Sequence, residues 1–280
     1  MDSQQIGILH PGEMGVSIAA SARNSGHSVF WASEGRGQAT RARAEKQTLI
    51  DRETLAALCR DCAILISVCP PGAAETVANS VLSHSFAGLY VDANAIAPQR
   101  SIRIGQTLAA AGIRFVDGAI IGGPAWSAGS TMLYLAGEDA GAVAALFSAG
   151  PLTTHVLGTE IGTASALKMC YAAYTKGTTA LLCGVLGAAE TLGVREALIQ
   201  QWTADASGLA EEAPRRVRDV TAKAWRFAGE MEEISATFQH AGMPGEFHAA
   251  AAVLYQRLAG FKDAPEKPSL ETVLNTLRSE

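Results

Sequence analysis

Charge is scarce in this chain. Asp, Glu, Lys and Arg together make up 18% of its 280 residues, and the net charge of −5 includes no basic stripe or run. Nucleic acid requires a dense cationic face, so that partner is not expected. No apolar run approaches the roughly 20 residues of a membrane helix, which argues against a membrane partner. Cysteine is limited to five residues, an odd number scattered through apolar surroundings, which suits the reducing cytosol. Cys59-Arg60-Asp61-Cys62 is a lone C-x-x-C with no second ligand pair, so neither a redox nor a metal role is expected of it. There is no H-x-x-x-H and no carboxylate cluster on an identifiable pair of strands, so no metal site is expected. Met1 to Gln5 leads straight into an apolar run, so a leader segment is not expected.

Hydrophobic residues, in contrast, reach 48%, and glycine contributes 28 residues, enough for a substantial core with close backbone approaches. The first half alternates short apolar runs with helical patterns. Runs at Ile6–Leu9, Ser28–Ala32, Ile64–Val68, Leu89–Asp92, Phe115–Ala119 and Thr131–Ala136 read as strands. Gly15–Asn24, Leu55–Cys62, Ala73–Leu82 and Ile102–Ala111 read as helices. That alternation predicts a Rossmann-type α/β domain with a doubly wound parallel sheet over residues 1–158. After Gly158 the period becomes helical throughout. Ile161–Leu192 has no proline and predicts one helix about 45 Å long, with Gly177, Gly184 and Gly187 marking places where another helix crosses closely. Helices at Arg195–Ala206, Pro214–Phe227, Glu230–Ala241 and Gly245–Ala259 complete an all-α domain over residues 159–280. The long helix exposes more apolar surface than a small domain covers, which predicts a homodimer through the helical domain.

The stretch "IGILHPGEMG", Ile6 to Gly15, has the layout of a dinucleotide-binding turn, but His10 stands where the first glycine of G-x-G-x-x-G belongs and Pro11 follows it. Gly12 and Gly15 fill the two positions that let backbone approach a pyrophosphate and let helix pack on strand. The helix start then offers N–H groups to phosphate. His10, Pro11, Gly12, Glu13 and Met14 are therefore cofactor-binding candidates. The second strand ends in "WASEGRGQATRARA": Ser33 occupies the usual place of an acidic residue, with Arg36, Arg41 and Arg43 beyond. A serine with a nearby guanidinium suits a 2′-phosphate, favouring NADP; Glu34 turned inward would favour NAD, and the arginines also suit a solvated face.

Four segments resemble the β-hydroxyacid dehydrogenases and, more broadly, the 6-phosphogluconate dehydrogenase superfamily. They are "IGILHPGEMG", "SVCPPGAAETV" (Ser67–Val77), "DGAIIGGPAWSAGSTMLYLAGE" (Asp117–Glu138) and "GTEIGTASALKMCYAAYTKG" (Gly158–Gly177). "LKMCYAAYTKG" and "EMEEI" are most similar to a branch whose C-terminal domain is named only as phosphogluconate-dehydrogenase-like. The resemblance implies an NAD(P)-dependent oxidoreductase acting on a small-molecule carbonyl or hydroxy substrate. It places Lys168 as general acid/base, Cys69, Pro70, Pro71 and Asn94 on the cofactor, and Gly122, Gly123, Pro124 and Trp126 on the substrate. The chain departs from the pattern at Ile121 in place of a serine, at Ala172 in place of an asparagine, and at Glu232-Glu233 in place of a Lys-Asp pair.

Chemically, carbonyl reduction needs a proton donor at the oxygen, and an ammonium supplies it while stabilising the developing charge. Burial and a nearby nicotinamide cation would lower the amine's pKa. The plainer reading of Lys168 is a lysine whose head reaches solvent. Tyr171, one turn on, is either a second proton donor or a core residue. Tyr174 and Lys176 are weaker candidates, His240 and His248 read as packing or surface residues, and Lys262-Asp263 resembles a late cofactor-closing segment. Imine reductases share the architecture but generally lack this lysine; an NADP-binding sensor without turnover is the non-enzymatic alternative.

Overall fold

The structure, a computed structural model, describes residues 3–278. Met1 and Asp2, part of the opening read above, lie outside the described residues. The contacts gather into two compact units, the first ending at Lys168 and the second beginning at Met169.

The first unit runs β1 (Gln5–Ile8), α1 (Glu13–Asn24), β2 (Ser28–Trp31), α2 (Gln38–Lys46), β3 (Ile50–Asp51), α3 (Leu55–Asp61), β4 (Ile64–Ser67), α4 (Ala74–Leu82), β5 (Leu89–Asp92), α5 (Pro98–Ala110), β6 (Arg114–Gly122), β7 (Thr131–Ala136), α6 (Ala140–Ala145) and β8 (Thr153–Gly158). Its sheet has the order β3-β2-β1-β4-β5-β6-β7-β8. The pairs are parallel except β6 with β7, which pair antiparallel from Asp117 opposite Ala136 to Gly122 opposite Thr131. The connecting loop 123–130 is too short for a crossover and closes a hairpin instead. Within the helix-linked part of the sheet the chain is doubly wound, and the fold is a Rossmann-type domain followed by a helical region.

Strands β1, β4 and β5 are buried on both faces, as near-continuous Ile, Leu and Val demand. One core layer packs Val16, Ile18 and Ala22 of α1 and Val143 and Phe147 around α6 against Ile6, Ile8, Ile66 and Val91. The opposite layer packs Leu58, Val81, Ile104 and Leu108 against Leu65 and Tyr90. Each such aliphatic side chain contributes about 1.5–3 kcal/mol on burial. The two-residue β3 is absent from the strand pattern above because Ile50-Asp51 is too short to show alternation.

Helix α7 (Thr163–Thr191, 29 residues) begins in the first unit and continues into the second. The second unit also holds α8 (Arg195–Ala204), α9 (Leu209–Asp219), α10 (Thr221–His240), α11 (Glu246–Arg257) and α12 (Leu270–Arg278). The expected helix breaks are corrected here. Pro214 lies inside α9 rather than opening a helix. The break expected between Phe227 and Glu230 is absent, because α10 runs through it with Gly229 in open space where it costs only propensity. The α7 glycines admit neighbours as their spacing implied: a side chain at Gly177 would press on Phe247 at 3.2 Å, and at Gly184 and Gly187 on Leu254 and Leu277.

Candidate cofactor and catalytic site

Strand β1 lies between β2 and β4, where the sheet order reverses, so a crevice opens at the carboxyl ends of β1 and β4. Gly12 is the N-cap of α1; its N–H donates to the His10 carbonyl at 2.9 Å, and its own carbonyl takes the Val16 N–H at 2.9 Å. A side chain on Gly12 would meet nothing within 4 Å, whereas one on Gly15 would collide with the His10 carbonyl oxygen. The two glycines thus divide the work as the motif requires: Gly12 leaves space for a ligand and Gly15 lets α1 close on the turn. Met14 follows Glu13 in the first turn of α1, and its carbonyl accepts the Ser17 hydroxyl at 2.8 Å.

His10 and Arg36 meet beside this corner. The Arg36 Nη2 donates to the Leu9 carbonyl at 3.2 Å. Burial, then the Arg36 charge, push the His10 pKa down to about 4. The His10 Nδ1 and the Arg36 Nε are buried with no hydrogen-bond partner. Cys69, at the end of β4, has its thiol pushed up to about 12, chiefly by burial.

The arginines after β2 reach back onto the turn, Arg36 and Arg43 half-buried and Arg41 exposed. Arg41 donates to the Ser33 carbonyl at 2.7 Å and the Arg36 carbonyl at 3.1 Å, and Arg43 to the Pro11 carbonyl at 3.3 Å. Backbone oxygens and, for Arg43, the Thr40 hydroxyl at 3.0 Å are their acceptors; among the described residues no carboxylate pairs with Arg36, Arg41 or Arg43. Ser33 is buried, and its N–H is held by the Asp51 carboxylate at 3.2 Å. Glu34 is exposed.

On the other side of the crevice the Asn94 side chain accepts the Cys69 N–H at 2.6 Å and donates to Ser67 at 3.1 Å and to Asp92 at 3.0 Å. This fixes the loop that carries Pro70 and Pro71, and Arg100 donates to the Pro71 carbonyl at 3.0 Å. Asp92 is fully buried, which raises its pKa to about 7 against the opposing Asn94 hydrogen bonds, with Asp117 on the neighbouring strand adding to the rise.

Asp117 itself anchors α7. Its carboxylate accepts the Gly162 and Ser165 N–H groups, both at 3.0 Å, and the hydroxyls of Ser165 at 2.6 Å and Ser101 at 2.9 Å. One turn after Ser165, the Lys168 Nζ donates to the Ile120 carbonyl at 2.5 Å. The lysine head is therefore drawn onto β6, with the side chain half-buried. Sequence reasoning gave no role to Asp92, Asp117, Ser101 or Ser165. The signal was present: a carboxylate ending an apolar strand, as in "LYVD", or set within one, as in "FVDGAI", needs several donors.

Just beyond Ile120, Gly122 has φ +120 and a side chain there would strike the Ser130 carbonyl. The Thr131 hydroxyl donates to the Gly123 carbonyl at 2.7 Å, and the Ala125 N–H donates to Ser17 of α1 at 2.9 Å. Pro124 and the half-exposed Trp126 line a cavity of about 480 Å³ with Glu13, Arg43 and Lys46.

In the second unit, Tyr171 is 50% exposed. Lys176 is committed elsewhere: its ammonium pairs with Glu230 and lies over the Phe227 ring. His248 packs edge-on to Phe238 and Phe247, His240 is exposed, and the Lys262 ammonium lies over Trp225. Among the described residues, no group of three or more His, Cys, Asp or Glu side chains is placed to hold a metal ion, and no helix is long and apolar enough to cross a membrane.

Residues 5–152 match the sequence family described as "NAD binding domain of 6-phosphogluconate dehydrogenase". Residues 189–258 match "Domain of unknown function (DUF1932)". A curated relative, the "Uncharacterized 28.5 kDa protein in 7S RNA 5′region" of Methanothermus fervidus, is 29% identical over 167 residues, 60% of this chain and 64% of that one, so the match spans less than two thirds of the relative. Among solved structures, a conserved protein of unknown function, titled as similar to 3-hydroxyacid dehydrogenases, is 27% identical with a TM-score of 0.66, over 91% of this chain and 97% of that one. The 3-hydroxyisobutyrate dehydrogenase of Mycobacterium tuberculosis, solved with L-serine, has a TM-score of 0.70 at 17% identity over 99% and 100%. The reductive aminase of Aspergillus terreus, solved with NADPH, has a TM-score of 0.57 at 18% identity over 99% and 100%.

Proposed function

Because this chain belongs to the family of the NAD-binding domain of 6-phosphogluconate dehydrogenase and is an NAD(P)-dependent oxidoreductase, we propose that it interconverts a small carbonyl compound and the corresponding hydroxy compound, with NADP as cofactor and Lys168 as general acid/base. The observation that carries this reading is the Lys168 ammonium held at the Ile120 carbonyl, two residues before the Gly122–Gly123 loop.

The residues at the glycine corner fit a dinucleotide. Gly12 leaves room, α1 points its first N–H groups outward, and buried nitrogens of His10 and Arg36 lack partners. Three guanidinium groups without carboxylates, in a chain of net charge −5, suit a ligand with more negative charge than a pyrophosphate alone. That supports NADP over NAD, as does the outward Glu34. When bound, the nicotinamide supplies the two-electron equivalent exchanged with the carbonyl carbon. Lys168 gives a proton to the carbonyl oxygen during reduction and takes it back from the hydroxyl in the reverse direction. Asp117 and Ile120 fix where that proton sits. Gly122 and Gly123 would meet an anionic substrate group with backbone, and Tyr171 is the candidate for a second hydrogen bond to substrate.

Replacing Lys168 with Met tests the reading. The expected result is a loss of turnover on the order of 10²–10⁴-fold with NADPH affinity unchanged. Unchanged turnover on carbonyls would overturn it. Ile121 and Ala172, both apolar where the family has polar residues, favour imines as the second reading; it requires imine turnover that survives in the variant. The exposed Leu181, Leu192 and Val194 of the helical unit support a homodimer, which light scattering checks, and the buried free thiols of Cys59, Cys62 and Cys183 suit a reducing, cytoplasmic setting.

A further inference from the structure

Resting on the NADP reading, we propose that His10 and Arg36 form a single recognition pair for the cofactor's 2′-phosphate, in which the imidazole takes up a proton as the phosphate enters.

The placement comes from three strand ends. His10 follows β1, Arg36 follows β2 and Cys69 follows β4, so all three belong to the carboxyl edge at the reversal of strand order. Arg36 is carried to His10 by its own bond to Leu9 and by Arg41, which clasps the carbonyls of Ser33 and Arg36. Both partners keep a buried nitrogen unsatisfied, the His10 Nδ1 and the Arg36 Nε. A buried donor or acceptor left so is destabilising, and an entering acceptor-rich anion relieves it.

The charges around His10 decide the sign. Arg36 acts on it directly, and Arg43 reaches its neighbour Pro11. Glu13 opens α1 and lines a cavity with Arg43, and Arg36 is the one charge that bears appreciably on His10. The Cys69 thiol, raised by burial, stays neutral. Burial and Arg36 hold His10 neutral, its pKa pushed down to about 4. A dianionic phosphate reverses the local field, and an opposite charge within a few ångströms shifts a titrating group by about 1–3 pH units toward its charged form. Phosphate binding and proton binding therefore reinforce each other, and affinity for the phosphorylated dinucleotide rises as pH falls. A glycine at position 10 would offer no such response, which gives the departure from the usual motif a function.

The experiment is calorimetric titration of the full-length protein with NADPH and with NADH, at pH 6 to 8, in two buffers of different ionisation heat. It is run on the wild type, His10→Gln and His10→Gly, the last restoring the usual glycine; thermal unfolding confirms that each variant is folded. The proposal expects NADPH to bind with net proton uptake in the wild type, absent from both variants. It also expects the wild-type advantage over the variants to grow about three- to tenfold from pH 8 to pH 6. Proton uptake unchanged in the variants overturns the role of His10 while leaving the NADP reading intact. Equal uptake with NADH assigns the response to the shared pyrophosphate and overturns the 2′-phosphate assignment. Tighter binding of NADH than NADPH overturns the cofactor reading and this inference together.

Discussion

Asp117 and Lys168 are governed by one strand: β6 grips the first turn of α7 through the Asp117 carboxylate and, three residues later, holds the Lys168 ammonium at the Ile120 carbonyl. The lysine is positioned from both ends, by the helix that carries it and by the oxygen it meets.

Asp117→Asn tests that arrangement. The amide presents an NH₂ to a site filled with donors, so one donor loses its acceptor at a cost of about 1–3 kcal/mol. Turnover is expected to fall at least tenfold while NADPH affinity stays constant, because the glycine corner is untouched. Chemical denaturation and calorimetry check the two halves of the expectation.

The two motif glycines separate folding from binding. Gly15→Ala sets a methyl against a backbone oxygen that cannot step aside, and is expected to lower stability by about 1–3 kcal/mol. Gly12→Ala enters open space, so its melting temperature stays near wild type while dinucleotide affinity drops. A paired thermal-shift and binding measurement distinguishes them.

Asp92 makes stability depend on pH. Its folded pKa of about 7 lies above its unfolded value near 3.8, so the folded state binds the proton more tightly. Its contribution is full below the unfolded value and is lost as pH rises through about 7, a difference on the order of 4 kcal/mol. Asp92→Asn, which cannot ionise, should show a flatter stability profile between pH 4 and pH 7 than the wild type in urea titrations.

The C-x-x-C pair should be inert. Burial pushes Cys59 up to about 11 and Cys62 up to about 12, so neither carries much thiolate near neutral pH. Alkylation of the native protein at pH 8 followed by mass spectrometry should label the exposed Cys170 first and leave both unmodified until the chain unfolds.

In the helical unit, Lys176 and Glu230 form a nearly buried ion pair. Glu230→Gln leaves the ammonium uncompensated and is expected to cost about 3–5 kcal/mol. The double change Lys176→Met with Glu230→Leu should recover most of that loss in denaturation experiments, since no charge remains to be stranded.

Much of this architecture was legible where one residue does one local job. Gly12 and Gly15 report on space within a single turn, and the absence of proline from Ile161 to Leu192 reports a continuous helix. What stayed hidden depends on distant partners. Ile120 holds Lys168 from 48 positions away, and Asp117 reaches Ser165 across the same separation. Local propensity misplaced the α9–α10 break because Pro214 stands inside α9, past the first turn where proline is ordinarily tolerated, and Gly229 sits where no neighbour crowds it. The antiparallel turn of β7 followed from loop length, which the strand pattern alone does not weigh. Lys168 stood out through resemblance; its apolar surroundings alone suited a surface lysine equally well.

The loop after β6 is fastened by Thr131 at Gly123 and by Ser17 at Ala125, and Trp126 to Ser130 form a separate turn in which the Ser130 N–H and hydroxyl both donate to the Ser127 carbonyl. Directed evolution toward a new substrate has its cheapest route at Trp126 and Ala128, which neither clasp holds, while Gly129 keeps its left-handed backbone and Ser130 its bond to Ser127.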